Sequence, residues 1–176
     1  MDAEGYPWYH IVRGTDLARG DLLERCPVFL PPADLVEPWD EAAFAWQERD
    51  VVVLTQSCDL ITGREKVTEV LLCATWGRSD LTSGHLSTPR GLEDARRGNP
   101  PGYHLLAECR LPDIGRKLRV VDFRRVYSLP LTFLRQVAAR GGDRLRLLPP
   151  YREHLSQAFA RYFMRVGLPQ DIPPFR

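Results

Sequence analysis

The sequence predicts an α+β fold that is mainly β, with helices packed against the strands. Residues 51–54 (Val-Val-Val-Leu) form a short apolar run of mostly β-branched side chains, which is typical of a fully buried strand. Later in the chain, apolar residues recur at helical spacing and predict an amphipathic helix; they are Leu155, Ala158, Phe159, Tyr162, Phe163 and Val166. A length of 176 residues suits one core, so we expect residues 1–176 to form a single domain.

The first half of the chain predicts three strands and a short helix. Residues 1–14 show no regular pattern and are expected to be an irregular lead-in. Residues 22–30 follow a turn signal and predict the first strand, and residues 40–46 predict a short helix that begins at an aspartate cap. After the buried strand at 51–54, residues 67–76 predict another strand, which is too uniformly apolar to lie exposed.

The second half begins with a segment that differs in composition. Residues 77–102 are rich in Gly, Pro, Ser and charged side chains, and they predict an insertion or flexible excursion with one or two helical turns around residues 92–97. Strands at 103–108 and 118–123 are expected to pair as a hairpin. Ser128 is expected to cap the next helix, which a glycine pair ends. A short strand around 145–148 precedes the last helix.

Two features of the sequence predict a cytoplasmic protein that does not enter membranes. No apolar run approaches the roughly 20 residues that are needed to cross a bilayer. The run from Met1 to Gly5 is acidic and lacks the basic and apolar parts of a signal peptide.

The cysteines are far apart in the sequence and form no CxxC pair; they are Cys26, Cys58, Cys73 and Cys109. In a reducing cytoplasm we expect free thiols, and the spacing does not predict a zinc site. The sequence also lacks a phosphate-binding loop, a dinucleotide-binding fingerprint, a GxSxG elbow and an HExxH motif. We therefore expect no metal and no cofactor.

The net charge of +1 conceals a basic segment. Residues 1–109 hold 10 basic and 18 acidic side chains, whereas residues 110–146 hold 10 basic and 3 acidic ones, a net charge of +7. Such a segment is suited to phosphate contacts, and Arg124 and Arg125 are its candidate binding residues. The alternative is a solvated face that pairs with the acidic half of the chain.

A polar cluster follows the buried strand at 51–54. Gln56, Ser57, Cys58 and Asp59 stand where a rigid strand reaches the surface, which is an arrangement often used to build sites. Cys58 is a candidate nucleophile, and Asp59 is a candidate partner for a base or a metal. In the alternative interpretation, Cys58 is a small buried apolar residue and Asp59 accepts hydrogen bonds from backbone amides of the turn.

Three segments of the chain resemble the core strands of the MazF/PemK-type toxins. The family patterns R-G-D-I-V, R-P-V-V-I-L and V-I-V-A-P-I-T are similar, in that order, to Arg19-Gly20-Asp21-Leu22-Leu23, Arg49-Asp50-Val51-Val52-Val53-Leu54 and Val70-Leu71-Leu72-Cys73-Ala74-Thr75. The run from Val120 to Val126 and the helix after Pro130 also resemble the closing elements of that family. Asp50 departs from the pattern, because the family has proline there, and the polar cluster after the second segment is outside it.

The resemblance implies an SH3-like β-barrel with packed helices, often a homodimer, that binds or cleaves single-stranded RNA without a metal. It further implies a prokaryotic toxin–antitoxin or defence module with an antitoxin as partner. Arg49 and Thr75 match the family positions that support cleavage: Arg49 would stabilise charge on the phosphate, and Thr75 would position it. Asp50 would set a carboxylate beside that phosphate, and no residue is identified as the base. The alternatives are a surface charge for Arg49 and an ordinary strand residue for Thr75.

The residues are also compatible with two other functions. Trp39, Trp46 and Trp76, together with the Pro-rich loops, are suited to a groove for a protein partner, which would make the chain a non-enzymatic interaction module. The second alternative function is a thiol-dependent enzyme in which Cys58 is the nucleophile.

Overall fold

The computed structural model describes residues 7–34, 37–38, 43–112, 114 and 118–164. Seven strands and three α-helices lie in these ranges. In chain order they are β1 (Tyr9–Val12), β2 (Leu22–Leu30), β3 (Ala45–Val53), β4 (Glu69–Gly77), α1 (Pro89–Arg96), β5 (Tyr103–Leu106), β6 (Arg119–Pro130), α2 (Leu131–Gly141), β7 (Arg144–Leu147) and α3 (Tyr151–Phe163). The mixed α+β class is therefore confirmed, and every pair of neighbouring strands is antiparallel.

Five strands form one sheet in the order β2-β3-β4-β6-β5. The apolar run that the sequence marks as a buried strand is the end of β3. Because successive side chains of a strand point to opposite faces, both faces of the sheet are apolar at this point. Val52 lies in one core with Phe123 and with Leu155 of α3, whereas Val51 lies in a second core with Leu134 of α2. The sheet is thus covered by α3 on one face and by α2 on the other.

The SH3-like barrel expected from the resemblance is not seen as a closed sheet. β2 and β5 are the two edges of the five-stranded sheet, and no pairing among the described strands joins these edges. No helix in the described ranges is long and apolar enough to span a bilayer.

The prediction of an irregular lead-in is wrong for residues 9–12, which form β1. β1 pairs with β7, with Tyr9 opposite Leu147. Asp21 joins this small sheet to the large one, because its buried carboxylate accepts hydrogen bonds from Arg144 Nε at 3.0 Å and from Arg146 Nη2 at 2.9 Å. Two guanidinium groups offset the cost of burying that charge. The contacts that form β1 are distant in sequence, so local periodicity does not reveal them.

The prediction of a helix at residues 40–46 is wrong in its described part. β3 begins at Ala45, and Trp46 stands opposite Phe29 of β2. The first residues of the predicted helix lie outside the described ranges. Alanine-rich sequence favours a helix locally, but pairing with a neighbouring strand overrides that preference here.

Residues 77–102 cross the surface of the sheet with regular structure of their own. α1 begins at Pro89, earlier than the predicted helical turns, and Thr88 caps it by accepting a hydrogen bond from the amide of Gly91 at 3.0 Å. Leu86 and Ala95 pack against Val120 of β6. This contact attaches the segment to the sheet.

The predicted hairpin is confirmed, since β5 pairs with residues 119–122 of β6. β6 continues to Pro130, so Ser128 lies within the strand and the prediction that it caps α2 is wrong; Pro130 occupies that position instead. α2 ends, as predicted, at the glycine pair, where Gly142 has a φ of +72°. The short strand predicted around 145–148 is β7, and the predicted amphipathic helix is α3, although Val166 lies outside the described residues.

Candidate functional site

A β-bulge of three residues in β6 brings arginines to the surface. Cys73 of β4 stands opposite Val126, but the next residue, Ala74, stands opposite Asp122. The residues between them on β6 therefore have no partner in β4, and they include Arg124 and Arg125. Bulges re-aim side chains and are frequent beside functional sites.

Trp76 lies at the centre of this region. The guanidinium carbon of Arg49 is 5.1 Å from the centroid of the Trp76 ring, and that of Arg125 is 5.6 Å from it. Arg49 also donates from Nη2 to Oε1 of Gln47 at 2.6 Å, while its buried Nε has no hydrogen-bond partner within the described part of the chain. Cations placed over an indole face are attracted by the ring quadrupole. The indole ring therefore positions two guanidinium groups.

Arg124 is held by a different set of contacts. It forms two hydrogen bonds of 2.9 Å with the carboxylate of Asp122, lies 4.5 Å from the ring centroid of Tyr103, and donates to the Tyr103 hydroxyl. The hydrogen bonds to Asp122 raise the pKa of the Arg124 guanidinium, and burial raises the pKa of the Tyr103 hydroxyl. Arg124 is therefore a fixed positive charge, and about half of its side chain is exposed.

A cavity of about 310 Å³, which we call the Trp76 cleft, is lined by Trp76, Tyr103, Asp122, Arg124 and Arg125. Residues 80–86 also line it, whereas Arg49 contacts Trp76 without lining the cavity. The segment at 77–102 thus contributes directly to the site. Arg125 donates no hydrogen bond within the described ranges, and its closest acidic atom is Oδ2 of Asp122 at 4.0 Å. Its donors are available to a ligand.

The structure does not bring Arg49 and Thr75 together. Thr75 precedes Trp76 on β4, so the two side chains point to opposite faces of the sheet. Arg49 contacts Trp76, whereas Thr75 is buried opposite Val121, which lies in the core that contains α3. The Thr75 hydroxyl has no partner among the described residues. These two candidates therefore do not form one phosphate site.

The polar cluster at residues 56–59 follows the end of β3, whereas Arg49 lies in the middle of that strand. Ser57, Cys58 and Asp59 form a 3₁₀ turn. The Ser57 hydroxyl accepts a hydrogen bond from the amide of Arg19 at 3.1 Å, and Asp59 forms an ion pair with Lys66 at 3.5 Å. Gln56 is exposed and precedes the turn. These contacts tie loops together at this end of the sheet.

Cys58 is exposed, which contradicts the interpretation of it as a small buried residue. Its sulfur lies 3.5 Å from Oδ1 of Asp59, and no histidine in the described ranges hydrogen-bonds to it. The other cysteines are buried, and burial raises the pKa of both Cys26 and Cys73 to about 12.

In the part of the chain that the structure describes, five of the ten basic side chains of this segment form ion pairs with the acidic half of the chain, beginning with Arg110, which pairs with Glu108. Arg119 pairs with Glu24, and Arg135 pairs with Glu65 at 2.7 Å. Arg144 and Arg146 both pair with the buried Asp21. These ion pairs reduce the basic surface that the excess of +7 suggests, and Arg124 and Arg125 are exposed with Asp122 of the same segment as their acidic neighbour.

Sequence reasoning identified the three arginines but missed two other members of the site. Asp122 had a visible signal, because it is a charged residue inside the apolar run from Val120 to Phe123. Tyr103 had no comparable signal in the sequence.

No group of three or more His, Cys, Asp or Glu side chains in the described part of the chain is arranged to hold a metal ion. Comparison with family models, with curated proteins and with solved structures found no match.

Proposed function

We propose that this chain binds single-stranded RNA at the Trp76 cleft. The observation that carries the proposal is the arrangement of three arginines on aromatic rings: Arg49 and Arg125 on Trp76, and Arg124 on Tyr103. A guanidinium presents several donors in a plane and matches phosphate oxygens in pairs. Rings that restrict its orientation reduce the entropy lost on binding. Arg124 and Arg125, which are about half exposed and are held in this way, are suited to a phosphate backbone.

The charge of the cleft favours weak binding with a shallow dependence on salt. Asp122 and Asp80 also border the cavity and reduce its net positive charge. For a single strand, the slope of log K against log salt is about −0.7 for each phosphate contact, so the two arginines that line the cleft predict a slope of about −1.4. A single strand suits this site because its unstacked bases lie next to its phosphates and are accessible to side chains.

We propose binding rather than cleavage as the activity of this site. Arg49 and Thr75 are the residues that the toxin resemblance implies for cleavage, and they lie on opposite faces of the five-stranded sheet. End-labelled RNA should therefore remain intact after incubation with the protein. Appearance of defined fragments that Arg49→Ala abolishes would contradict this part of the proposal and favour a metal-independent endoribonuclease.

The test is fluorescence anisotropy with a labelled single-stranded RNA, first at low salt and then along a salt series. Arg125→Ala is expected to weaken binding and to reduce the magnitude of the salt slope by about 0.7. Arg49→Ala is expected to weaken binding as well. Arg140→Ala is the matched control, because Arg140 is an exposed arginine of the same basic segment outside the cleft. Absence of binding at low salt would overturn the proposal.

We extend the proposal to the setting implied by the MazF/PemK-type resemblance. The chain would then be a cytoplasmic RNA-binding member of a prokaryotic toxin–antitoxin or defence module, with an antitoxin or a second copy of itself as partner. Its core would be a divergent SH3-like barrel. The antiparallel five-stranded sheet, with bulges in β2 and β6, supports that relationship, because bulges introduce the curvature that such folds need.

A second candidate function is a protein-interaction module at the end of the β2–β3 hairpin. Three aromatic side chains are exposed there: Phe29 at 52%, Phe44 at 59% and Trp46 at 63%. Exposed aromatic residues commonly act as anchors of protein interfaces. If this surface carries the function, one protein should co-purify with the wild-type chain and be lost with Trp46→Ala, while RNA binding by that variant is unchanged.

A further inference from the structure

An aromatic surface lies directly beside the Trp76 cleft and is not used by the function proposed above. Phe123 is fully buried, and its ring centroid is 5.5 Å from that of Phe159 and 6.0 Å from that of Tyr162. Phe163 packs on Phe159 and Tyr162 at 4.8 and 4.9 Å, yet 55% of it is exposed. A cavity of about 620 Å³ opens over these rings, bordered also by Val126. We call it the aromatic groove.

Arg124 connects the two cavities, because it borders both the aromatic groove and the Trp76 cleft. β5 begins at Tyr103, opposite Asp122, and the amide of Phe123 donates a hydrogen bond to the carbonyl of Gly102 at 2.9 Å. From Arg124 to Pro130, none of the described strands pairs with this side of β6. A ligand chain can therefore pass along the exposed Arg124 from one cavity to the other.

We propose that the aromatic groove receives bases of the same RNA strand whose phosphates lie in the Trp76 cleft, an inference that rests on the proposed function. A nucleic-acid strand carries a charged backbone and flat rings side by side, which matches an arginine pair beside exposed aromatic rings. Stacking of bases on aromatic side chains contributes substantially to binding and tolerates any base, because every base has a π face. The apolar lining of the groove therefore predicts little preference for base sequence.

The test compares two probes with equal charge: a short RNA oligomer, and an abasic oligomer with the same number of phosphates. Wild-type protein is expected to bind the RNA more tightly than the abasic oligomer. Phe163→Ala is expected to weaken binding of the RNA by between about fivefold and 100-fold, while binding of the abasic oligomer is unchanged. Phe163→Leu keeps an apolar side chain without a ring and is expected to show a similar loss. Both variants should fold, because Phe163 is half exposed.

The outcomes separate this inference from the function on which it rests. Ile61→Ala is the matched control, because Ile61 is an exposed apolar residue outside both cavities. If neither oligomer binds, the proposed function fails. If both bind equally and Arg125→Ala weakens both, the function is retained and the groove inference is overturned. A preference for RNA that Phe163→Ala leaves unchanged would also overturn it, since the bases would then bind elsewhere.

Discussion

Asp50 accepts a hydrogen bond from the backbone amide of Arg25 at 2.9 Å, and Arg25 has a φ of +52°. Arg25 lies in a β-bulge of β2, between Leu23 and Cys26. The left-handed conformation costs a residue with a side chain about 1–2 kcal/mol, so the bond to Asp50 offsets part of this cost. The Asp50 carboxylate therefore stabilises the bulge, rather than lying beside a phosphate at Arg49 as the resemblance implied.

This relationship predicts how substitutions at the bulge change stability. Asp50→Ala is expected to lower the free energy of unfolding by about 1–2 kcal/mol, because the Arg25 amide loses its acceptor. Arg25→Gly is expected to be neutral or stabilising, because glycine adopts a positive φ without a steric cost. Urea denaturation of both variants and of the double variant measures the coupling. Equal stability of Asp50→Ala and wild type would show that the bond contributes nothing.

Local patterns in the sequence predicted the elements that are stabilised by their own periodicity. The buried end of β3 and the apolar stripe of α3 were recognisable in this way. β1 was not, because it exists through pairing with β7, more than a hundred residues later in the chain. Ala45 and Trp46 were predicted to be helical because their own local sequence favours a helix, whereas their pairing with Leu30 and Phe29 of β2 is a contact distant in sequence.

The candidate site depends on a register that the sequence does not display. Arg49, Arg124 and Arg125 could be identified as basic residues near strands, but their meeting at Trp76 and Tyr103 requires the bulge between β4 and β6. The distribution of positive charge on the surface also depends on contacts that the sequence does not display. The excess between residues 110 and 146 suggested a basic surface, whereas the structure pairs Arg135 with Glu65, a residue from the other half of the chain.

Gly91 allows α1 to approach the wall of the Trp76 cleft. A Cβ at this position would lie 1.8 Å from the carbonyl oxygen of His85. Gly91→Ala should therefore displace the turn at residues 85–87 and lower the free energy of unfolding by about 1–3 kcal/mol. Gly141→Ala in α2 is the control, because a Cβ there meets no atom within 4 Å and alanine favours a helix. Thermal denaturation compares them, and similar melting temperatures would contradict the close contact.

The four thiols are expected to differ sharply in reactivity. Cys58 is exposed, whereas Cys26, Cys73 and Cys109 are buried. An aromatic disulfide reagent should therefore titrate one thiol in the native protein and four after denaturation. Cys58→Ser should abolish the native reaction, and Cys109→Ser should leave it unchanged. More than one reactive thiol in the native state would contradict the described burial.

The rate at Cys58 also tests the thiol-dependent enzyme. A catalytic cysteine needs a neighbour that stabilises the thiolate, and no histidine in the described part of the chain hydrogen-bonds to this one. Iodoacetamide is expected to modify Cys58 no faster than it modifies the unfolded chain. A rate clearly above that of the unfolded chain would favour the thiol-dependent enzyme over RNA binding.

His104 is expected to make the stability of the protein depend on pH. Burial, with a further contribution from His154, lowers the pKa of His104 from 6.5 to about 4. Between these values the unfolded chain takes up a proton that the native protein does not, so the free energy of unfolding falls as the pH is lowered from about 6.5 to 4. A shift of this size corresponds to a loss of up to about 3 kcal/mol in the free energy of unfolding.

His104→Gln should remove this part of the pH dependence, whereas His85→Gln, at an exposed site, should retain it. Urea denaturation along a pH series measures the difference, and parallel curves for wild type and His104→Gln would show that His104 is protonated in the native state as readily as in the unfolded chain.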